Sequence, residues 1–408
     1  MADDFSDRGA RGSRNEETRQ RNLSLVLSTV HLHGPQSRAD LTRLSGLNRS
    51  TVGALVADLV ESGLVVEDEP HVTHHAGRPS PVVRPSEDVV AVSVNPDVAG
   101  VTFAVVGLGG VVRVRETVLT PTRVTPEDTA LLTRDFLTRL ASELSATTRV
   151  AGVGVAIPGL VNEEAQTVII APSLRWADVP LSAILEEELA LPAVMANDAI
   201  VGVIAESKFG AGVGVGNVVY LNGSTSGLGG GVMSDGRLVK GARGFGTELG
   251  HILVDPQGAA CPCGRVGCLE TKVNARLIWS AAGVDFTPLD DLDYLYADEP
   301  TVELERELDR QADALAAGIA SLLSVFAPER VILGGHVGAL WDARSERLGA
   351  GVRRQAFGPL GDEVTIVRNA LRERMVPIGS AEMVFRALLK DPVNTPLSPL
   401  GALERVVR

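Results

Sequence analysis

Apolar residues recur at helical spacing in three successive stretches between residues 23 and 63. The first stretch ends before Gly34, a residue that stops a helix. The second follows Ser37, a residue type that caps helix N-termini, and ends at Gly46. The third follows Asn48, another capping residue type. The pattern predicts three short helices in this part of the chain.

Two short extended segments, residues 64–69 and 71–84, follow the third helix and are separated by a turn. Three helices with a tight glycine turn, followed by a β-hairpin, make a winged helix-turn-helix, which we place at residues 21–85. Residues 1–20 are polar and lack apolar periodicity. We expect a disordered arm there.

The pattern changes after Pro85. Three β-rich runs between residues 88 and 118 predict an antiparallel meander, and extended and helical stretches then alternate as α/β units. A second sheet begins at residues 217–223, and a long helical pattern over residues 305–328 leads into another strand. Residues 88–408 therefore predict an α/β body that is long enough for two lobes.

The 408-residue chain carries a formal net charge of −13, which by itself argues against a nucleic-acid partner. The charge is uneven, however, because residues 8–49 contain eight Arg and three acidic residues, a net charge of +5. A basic head on an acidic body favours double-stranded DNA as a partner. The alternative is a three-helix scaffold with a solvated polar face.

The first turn of the third predicted helix would present polar side chains to bases and phosphates, and an Arg in the hairpin could enter a minor groove. The residues that we expect to contact DNA are Ser37, Arg38, Asn48, Arg49, Ser50, Thr51 and Arg78. The paired heads of a homodimer, or of a homotetramer, would match the half-sites of a palindromic operator.

No apolar run approaches the roughly 18 residues of a membrane helix, and the first 22 residues are polar where a secretory signal is apolar. We expect a cytoplasmic protein with no membrane partner, in which thiols stay reduced. The three cysteines of the chain are Cys261, Cys263 and Cys268. An odd, tightly clustered count argues against a disulfide framework.

Tetrahedral zinc takes four ligands, so three thiolates need one more. His251 lies ten residues before Cys261, and the loop between them contains Pro256 and Gly258 and could fold the histidine back. We predict a structural Zn²⁺ bound by His251, Cys261, Cys263 and Cys268. The alternatives are buried structural cysteines or a redox pair. A further group, His71, His74 and His75, is expected to be a solvated cluster.

Four blocks follow one another in the second half of the chain: residues 159–181, ANDA at 196–199, residues 226–256 with TELGH, and CPCGRVGCLE at 261–270. In this order they resemble the ROK family of sugar kinases and sugar-responsive repressors. Together with the helix-turn-helix pattern before them, they resemble the family's repressor branch. The combination of TELGH with CPCGRVGC is the most specific part of the resemblance.

The resemblance implies an actin-like (ribonuclease H-like) fold, in which two lobes divide near residue 197 and a sugar or sugar phosphate binds between them. It implies sugar contacts from Asn197, Asp198, Glu248, His251 and Glu270. In the kinases of the family, the residue that matches Asp198 is the general base.

The first phosphate loop of those kinases reads DxGxT, and the matching stretch here is NPDVA at residues 95–99. Asn95 replaces the aspartate, Asp97 the glycine and Ala99 the threonine, which places a carboxylate where phosphate oxygens would lie. We therefore expect no enzyme but a sugar-responsive, DNA-binding transcriptional regulator, a repressor of carbohydrate genes. The alternatives are an active ATP-dependent sugar kinase with an added head, and a zinc-stabilised DNA-binding scaffold without a ligand.

Overall fold

Three helices form the N-terminal part of the protein. A computed structural model describes residues 4–68, 81–224, 226–284 and 301–403. The helices are α1 (Asp4–His33), α2 (Arg38–Ser45) and α3 (Arg49–Glu61). The two predicted caps are confirmed, because the Ser37 side chain accepts a hydrogen bond from the backbone N–H of Asp40, and the Asn48 side chain accepts one from that of Thr51.

Helix α1 begins earlier than its apolar pattern indicates. We expected a disordered arm over residues 1–20, but the chain is helical from Asp4 onward. The segment contains four Arg and two Glu, residue types that favour helices without forming an apolar face. Arg19 also pairs with Asp58 on α3. Apolar periodicity reports the buried part of a helix, so it marked only the second half of α1.

A small antiparallel sheet lies beside these helices. Its strands are β1 (Gln36–Ser37), β2 (Val65–Asp68) and β3 (Val82–Pro85), in the order β1-β3-β2. β2 lies within the first segment that was predicted to be extended, and β3 overlaps the end of the second and continues to Pro85. Arg78 and the histidines His71, His74 and His75 lie outside the described residues.

The first lobe of the body is built on a mixed sheet. Its strands are β4 (Val89–Asp97), β5 (Gly100–Gly107), β6 (Val111–Leu119), β7 (Arg149–Ile157) and β11 (Ala193–Asn197), in the order β11-β7-β4-β5-β6. β4, β5 and β6 form the predicted antiparallel meander, and β7 and β11 continue the sheet in parallel. Helix α4 (Pro126–Glu143) joins β6 to β7. A small sheet of β8 (Leu160–Asn162), β9 (Thr167–Ala171) and β10 (Trp176–Val179), followed by α5 (Leu181–Leu189), lies between β7 and β11 along the chain. Helix α6 (Asp198–Phe209) follows β11 and leads to the second lobe.

The second lobe repeats this topology. Its strands are β12 (Val218–Ser224), β13 (Gly227–Ser234), β14 (Arg237–Leu238), β15 (Arg330–Gly334) and β16 (Thr365–Arg368), in the order β14-β13-β12-β15-β16. An antiparallel meander is again followed by two parallel strands. The helices are α7 (Ala275–Ala282), α8 (Val302–Phe326), α9 (Gly335–Gln355) and the short α10 (Leu360–Glu363). This is the predicted α/β, actin-like body of two lobes.

The end of the chain returns to the first lobe. Helix α11 (Met375–Lys390) packs against β4, β7 and α6, and β17 (Ser398–Pro399) pairs with β7 before the short α12 (Leu400–Leu403). A single division near residue 197 therefore does not describe the lobes fully, because the last segment belongs to the first one.

The N-terminal helices and the body share one apolar core. Leu27 of α1 and Val56 of α3 belong to the same buried cluster as Val106 of β5 and Phe385 of α11. Arg149 of β7 also donates hydrogen bonds to the backbone oxygens of Ser62 and Gly63, at 3.0 and 2.6 Å. The N-terminal head, which comprises α1 to α3 and β1 to β3, is thus packed against the first lobe. Among the described residues, no helix is long and apolar enough to cross a lipid bilayer.

Candidate functional site

A histidine and three cysteines converge at the edge of the second lobe. His251 closes a short 3₁₀ turn, Leu249–His251, and the cysteines lie on the loop that follows. Isolated bridges between Leu253 and Cys268 and between Ala260 and Val266 fold this loop back on itself. As a result, the ligand atoms of His251, Cys261, Cys263 and Cys268 all lie within 4.8 Å of one another.

The spacing of these atoms suits a tetrahedral metal site. The Sγ atoms of Cys263 and Cys268 are 3.7 Å apart, and Cys261 Sγ lies 3.7 Å from His251 Nδ1. Two thiolates on a zinc ion with bonds of about 2.3 Å would be separated by about 3.8 Å. Gly267 allows the two arms of this loop to pack closely, because its φ is 76° and a Cβ there would lie only 1.6 Å from the backbone oxygen of Asp255. The cluster could therefore hold a metal ion.

Glu270 connects this cluster with the cleft between the lobes. Its Oε1 accepts a hydrogen bond from Cys261 Sγ at 2.8 Å and lies 3.5 Å from His251 Nδ1. Its Oε2 faces β13, where a Cβ added to Gly227 would lie 2.7 Å from it. The carboxylate thus has one oxygen toward the cluster and one toward the glycine-rich strand.

Asp198 lies beside the same strand. A Cβ added to Gly229 would lie 3.8 Å from Asp198 Oδ1 and 2.9 Å from the Ala199 Cβ. Residues two apart on a strand share a face and are about 7 Å apart. Gly227 and Gly229 therefore bring Glu270 and Asp198 to one side of β13, at a separation that suits a small polyol. Larger side chains at these glycines would fill the space.

The carboxyl group of Asp198 is strongly perturbed. Burial, together with the charges of Asp97 and Glu248, raises its pKa from 3.8 to about 7, against a hydrogen bond from the Ala199 N–H. Desolvation in the cleft wall and the charge of Glu270 also raise the pKa of Glu248. The cleft thus concentrates four acidic groups, Asp97, Asp198, Glu248 and Glu270, and hydroxyl donors would relieve their repulsion.

Asn197 has a different local role from its neighbour. Its Oδ1 accepts hydrogen bonds from the backbone N–H groups of Ala199 and Ile200, which caps α6. Its Nδ2 donates to the Gly159 oxygen at 3.0 Å. The side chain is therefore largely occupied in positioning Asp198, and one N–H remains for a ligand.

The family follows from comparison with known proteins. The ROK family model matches residues 93–386, which is more than half of the chain. The chain belongs to the ROK family. A xylose repressor of Caldicellulosiruptor bescii is 27% identical over 391 residues, which cover 92% of this chain and 98% of the repressor.

Two ROK crystal structures resemble the fold. A ROK transcriptional regulator, a homolog of the E. coli MLC protein, has a TM-score of 0.75 at 25% identity and covers 92% of this chain and 98% of its own. A ROK glucokinase from Streptomyces griseus, in complex with glucose and AMPPNP, has a TM-score of 0.61 at 25% identity and covers 72% and 98%. The similarity to repressors spans nearly the whole chain, which confirms the predicted resemblance to the repressor branch.

The departure from the ROK kinase phosphate loop lies where the sequence placed it, at the β4–β5 hairpin. Asn95 turns its Nδ2 to the Ala156 oxygen at 3.0 Å, and Asp97 Oδ1 accepts from Val98 N at 2.6 Å. Asn95 lines a cleft cavity of about 340 Å³ between the lobes, together with Asn222 of the second hairpin. Asp97 adds negative charge near Asp198, since it raises the pKa of that residue.

Sequence reasoning missed three arginines that line this ROK cleft. Arg115 pairs with Glu373 at 2.9 Å, and Arg368 and Arg372 both lie near Asp342. They come from β6, from β16 and from the 3₁₀ turn Arg372–Arg374, so no local motif links them. Only the folded lobes bring them together.

The residues predicted to contact DNA are not equally available. Asn48, Arg49 and Ser50 are exposed at the start of α3, and among the described residues Arg49 has no ion pair. Arg38 instead makes a double hydrogen bond to Glu67, at 2.5 and 2.6 Å. Ser37 faces Asp40, and its Oγ donates to that carboxylate at 2.7 Å. Thr51 is partly buried, and its backbone N–H serves the Asn48 cap.

Proposed function

We propose that this ROK protein is a sugar-responsive transcriptional repressor that binds operator DNA as a homodimer or a larger symmetric oligomer. The observation that carries the proposal is the shared core: a head with an exposed helix N-terminus is packed rigidly onto a kinase-like body. A head that moves with the sugar lobe can report the state of the cleft. A head joined to the body only by a flexible linker would not respond to the state of the cleft.

The head acts as a winged helix-turn-helix, with α3 as the recognition helix. Asn48, Arg49 and Ser50 are placed to contact bases and phosphates, because they are exposed at the end of the helix that favours anions. Arg38 supports the site by fixing Glu67 of the hairpin rather than by contacting DNA. Arg78, outside the described residues, remains our proposed minor-groove contact.

The body binds a monosaccharide through Asp198, Glu248, Glu270 and the free N–H of Asn197. Carboxylates accept hydrogen bonds from vicinal hydroxyl groups, and each such bond also offsets the repulsion among the acidic groups. Xylose is the first sugar to test, because a similar protein is a xylose repressor. His251 lies beside Glu270 and positions it.

The metal at this site is a structural Zn²⁺ bound by His251, Cys261, Cys263 and Cys268. The donor set of one imidazole and three thiolates is typical of structural zinc. When bound, zinc would crosslink the loop of residues 251–268 and so hold Glu270 at the cleft. The thiols are compatible with a reducing cytoplasm, where we place the protein.

The proposed repressor does not transfer phosphate. Asp97 stands where the kinases of the family have glycine, and its charge is felt by Asp198. A second carboxylate at this point repels the negatively charged phosphates of a nucleoside triphosphate. The retained Asp198 would then serve sugar binding alone.

The test is enrichment of operator DNA. Full-length protein is incubated with sheared fragments of its own genome at moderate salt, with and without a sugar panel that begins with xylose, and the retained DNA is sequenced. We expect a few palindromic sites, lost in Arg49→Ala and retained in the matched control Arg353→Ala on α9. An absence of enriched sites under all conditions would refute the repressor.

A kinase assay separates the alternative. Purified protein is mixed with ATP and each sugar of the panel, and ADP release is followed. We expect no sugar-dependent release. Sugar-dependent ADP formation that Asp198→Ala abolishes would favour an active sugar kinase with an added head. A body that binds no sugar by calorimetry would favour the zinc-stabilised DNA-binding scaffold.

A further inference from the structure

A second cavity lies away from the proposed sugar site. It has a volume of about 750 Å³ and is bounded by β11, by α6 from Ile200 to Lys208, by the C-terminal half of α11 and by the β13–β14 hairpin. Lys208, at the far end of α6 from Asp198, lines it. Ten residues of helix separate the two by about 15 Å. The volume suits a ligand of metabolite or drug size.

The lining of this cavity is basic in an acidic protein. Five cationic side chains face two carboxylates, although the whole chain carries a net charge of −13. The cations are Lys208, Arg237, Lys240, Arg386 and Lys390, and the carboxylates are Glu163 and Glu382. A local excess of positive charge against the overall balance indicates an anionic ligand.

Three of the five cations are free to bind. Lys208 pairs with Glu382 at 2.5 Å, and Lys240 pairs with Glu163. Within the described ranges, no ion pair engages the exposed Arg237, Arg386 or Lys390. Two of these are guanidinium groups, which bind phosphate and carboxylate groups through two parallel hydrogen bonds.

The inner surface of the cavity is different from its rim. Ile200, Ile204, Leu238 and Met383 form an apolar floor. An apolar floor and a basic rim together fit an organic molecule with a charged end, since a bare inorganic ion would leave the floor uncontacted.

We propose that this cavity binds a small organic anion with two or more negative charges, either a phosphate ester or a polycarboxylate. Arg237 and Arg386 hold the charged group from opposite sides, and Lys390 adds to the positive potential. The organic part lies on the apolar floor. The site is separate from the carboxylate-lined cleft, whose charge has the opposite sign.

The cavity also reaches the contact between body and head. Glu382 receives Lys208 from the cavity side, and its other oxygen lies 2.8 Å from His31 Nε2 of α1. His31 is fully buried, and its Nδ1 accepts from the Gly109 N–H at 2.9 Å. An anion in the cavity competes with Glu382 for Lys208. Occupancy would therefore change the pairing of Glu382 with the head, and by linkage DNA would change anion affinity.

Calorimetry on the full-length protein tests the binding. The probes are a hexose 6-phosphate, citrate and inorganic phosphate, each titrated up to millimolar concentration at matched ionic strength. We expect at least one organic anion to bind more tightly than inorganic phosphate. The double variant Arg237→Glu/Arg386→Glu should weaken that binding by about tenfold or more, which corresponds to about 1.4 kcal/mol.

The matched control is Arg353→Glu/Arg354→Glu on α9, which makes the same change of charge away from the cavity. It should leave anion binding unchanged, and both double variants should bind free sugar like the wild type. Absence of binding by every probe would overturn the proposal, and so would equal affinity in the two variants. Weaker operator binding by the cavity variant, with anion binding intact, would also overturn it and assign the basic rim to DNA.

The link to the head has its own readout and rests on the proposed DNA binding. Operator affinity is measured with and without saturating anion. A change of about threefold or more in the wild type, absent from Arg237→Glu/Arg386→Glu, is expected. An unchanged operator affinity would refute the link. Anion binding does not depend on DNA, so failure of the repressor proposal leaves the first test valid.

Discussion

Asp198→Asn isolates the electrostatic cost of the acidic cleft. The substitution removes the titrating group but keeps an oxygen that can accept from the Ala199 N–H, as Oδ1 does at 2.8 Å. In the folded protein, burial raises the pKa of Asp198 to about 7, against an ordinary value of 3.8. A change of this size corresponds to at most on the order of 4 kcal/mol. Since the residue is partly open to cleft water, we expect the ionised carboxylate to lower the free energy of unfolding of the wild type by only about 1–2 kcal/mol.

The sign follows from proton linkage. A raised pKa means that the folded protein binds more protons than the unfolded chain between about pH 4 and pH 7. Wild-type stability is therefore favoured at low pH and is lost as pH rises through the folded pKa. Asp198→Asn lacks this loss. Its stability relative to wild type should increase from pH 5 to pH 8.

The assay is thermal unfolding of both proteins at pH 5 and pH 8 in constant salt. The difference in Tm, variant minus wild type, should rise by about 1–2 °C between these pH values, because the shift per kcal/mol is small in a chain of this length. Asp235→Asn, on the exposed β13–β14 turn, is the control and should show no such rise. The single variant Asp97→Asn should show a smaller rise of the same sign, because the charge of Asp97 contributes to the raised pKa of Asp198. A difference that is flat or falls with pH would refute the reasoning.

Three further predictions concern other parts of the molecule. Cys263→Ser should lower bound zinc, measured by atomic emission, and should weaken the sugar response more than basal operator binding; equal losses would contradict the proposed role. Asn48→Ala should lower the free energy of unfolding by about 1 kcal/mol in denaturant unfolding, whereas Asn48→Asp should keep the cap and still lose DNA binding. If loss of DNA binding followed loss of stability in both variants, a base contact by Asn48 would be refuted. His31→Leu should lower the free energy of unfolding by about 3 kcal/mol, because the buried Glu382 is then left with Lys208 as its partner. The same substitution at the exposed His33 of this helix should leave the free energy of unfolding almost unchanged.

Elements that depend on local interactions could be read from the sequence. Ser37 and Asn48 were recognised as caps because a cap needs only the three residues after it. His251 and the three cysteines were grouped because all four lie on one loop of 18 residues. The first half of α1 was missed, since a helix without an apolar face has no periodic signal.

The carboxylates of the cleft are an intermediate case. Family resemblance pointed to Asp198, Glu248 and Glu270, but the sequence could not show that Gly227 and Gly229 bring two of them to one side of β13. It also could not assign Asn197 to capping rather than to open ligand contact. Both facts depend on how α6 packs against the second sheet.

The sequence by itself determined α2, α3 and the apolar half of α1 with their caps, the metal-ligand loop and the β4–β5–β6 meander, because hydrogen bonds and apolar contacts over short separations specify them. The repressor branch was predicted from the resemblance of its motifs to the family. Only the tertiary structure decided which distant charges meet. His31 and Glu382 are 351 residues apart, and the cationic rim joins Arg237 to Arg386. Such contacts are set by the packing of whole elements, and a charged residue far along the chain carries no local sign of its partner.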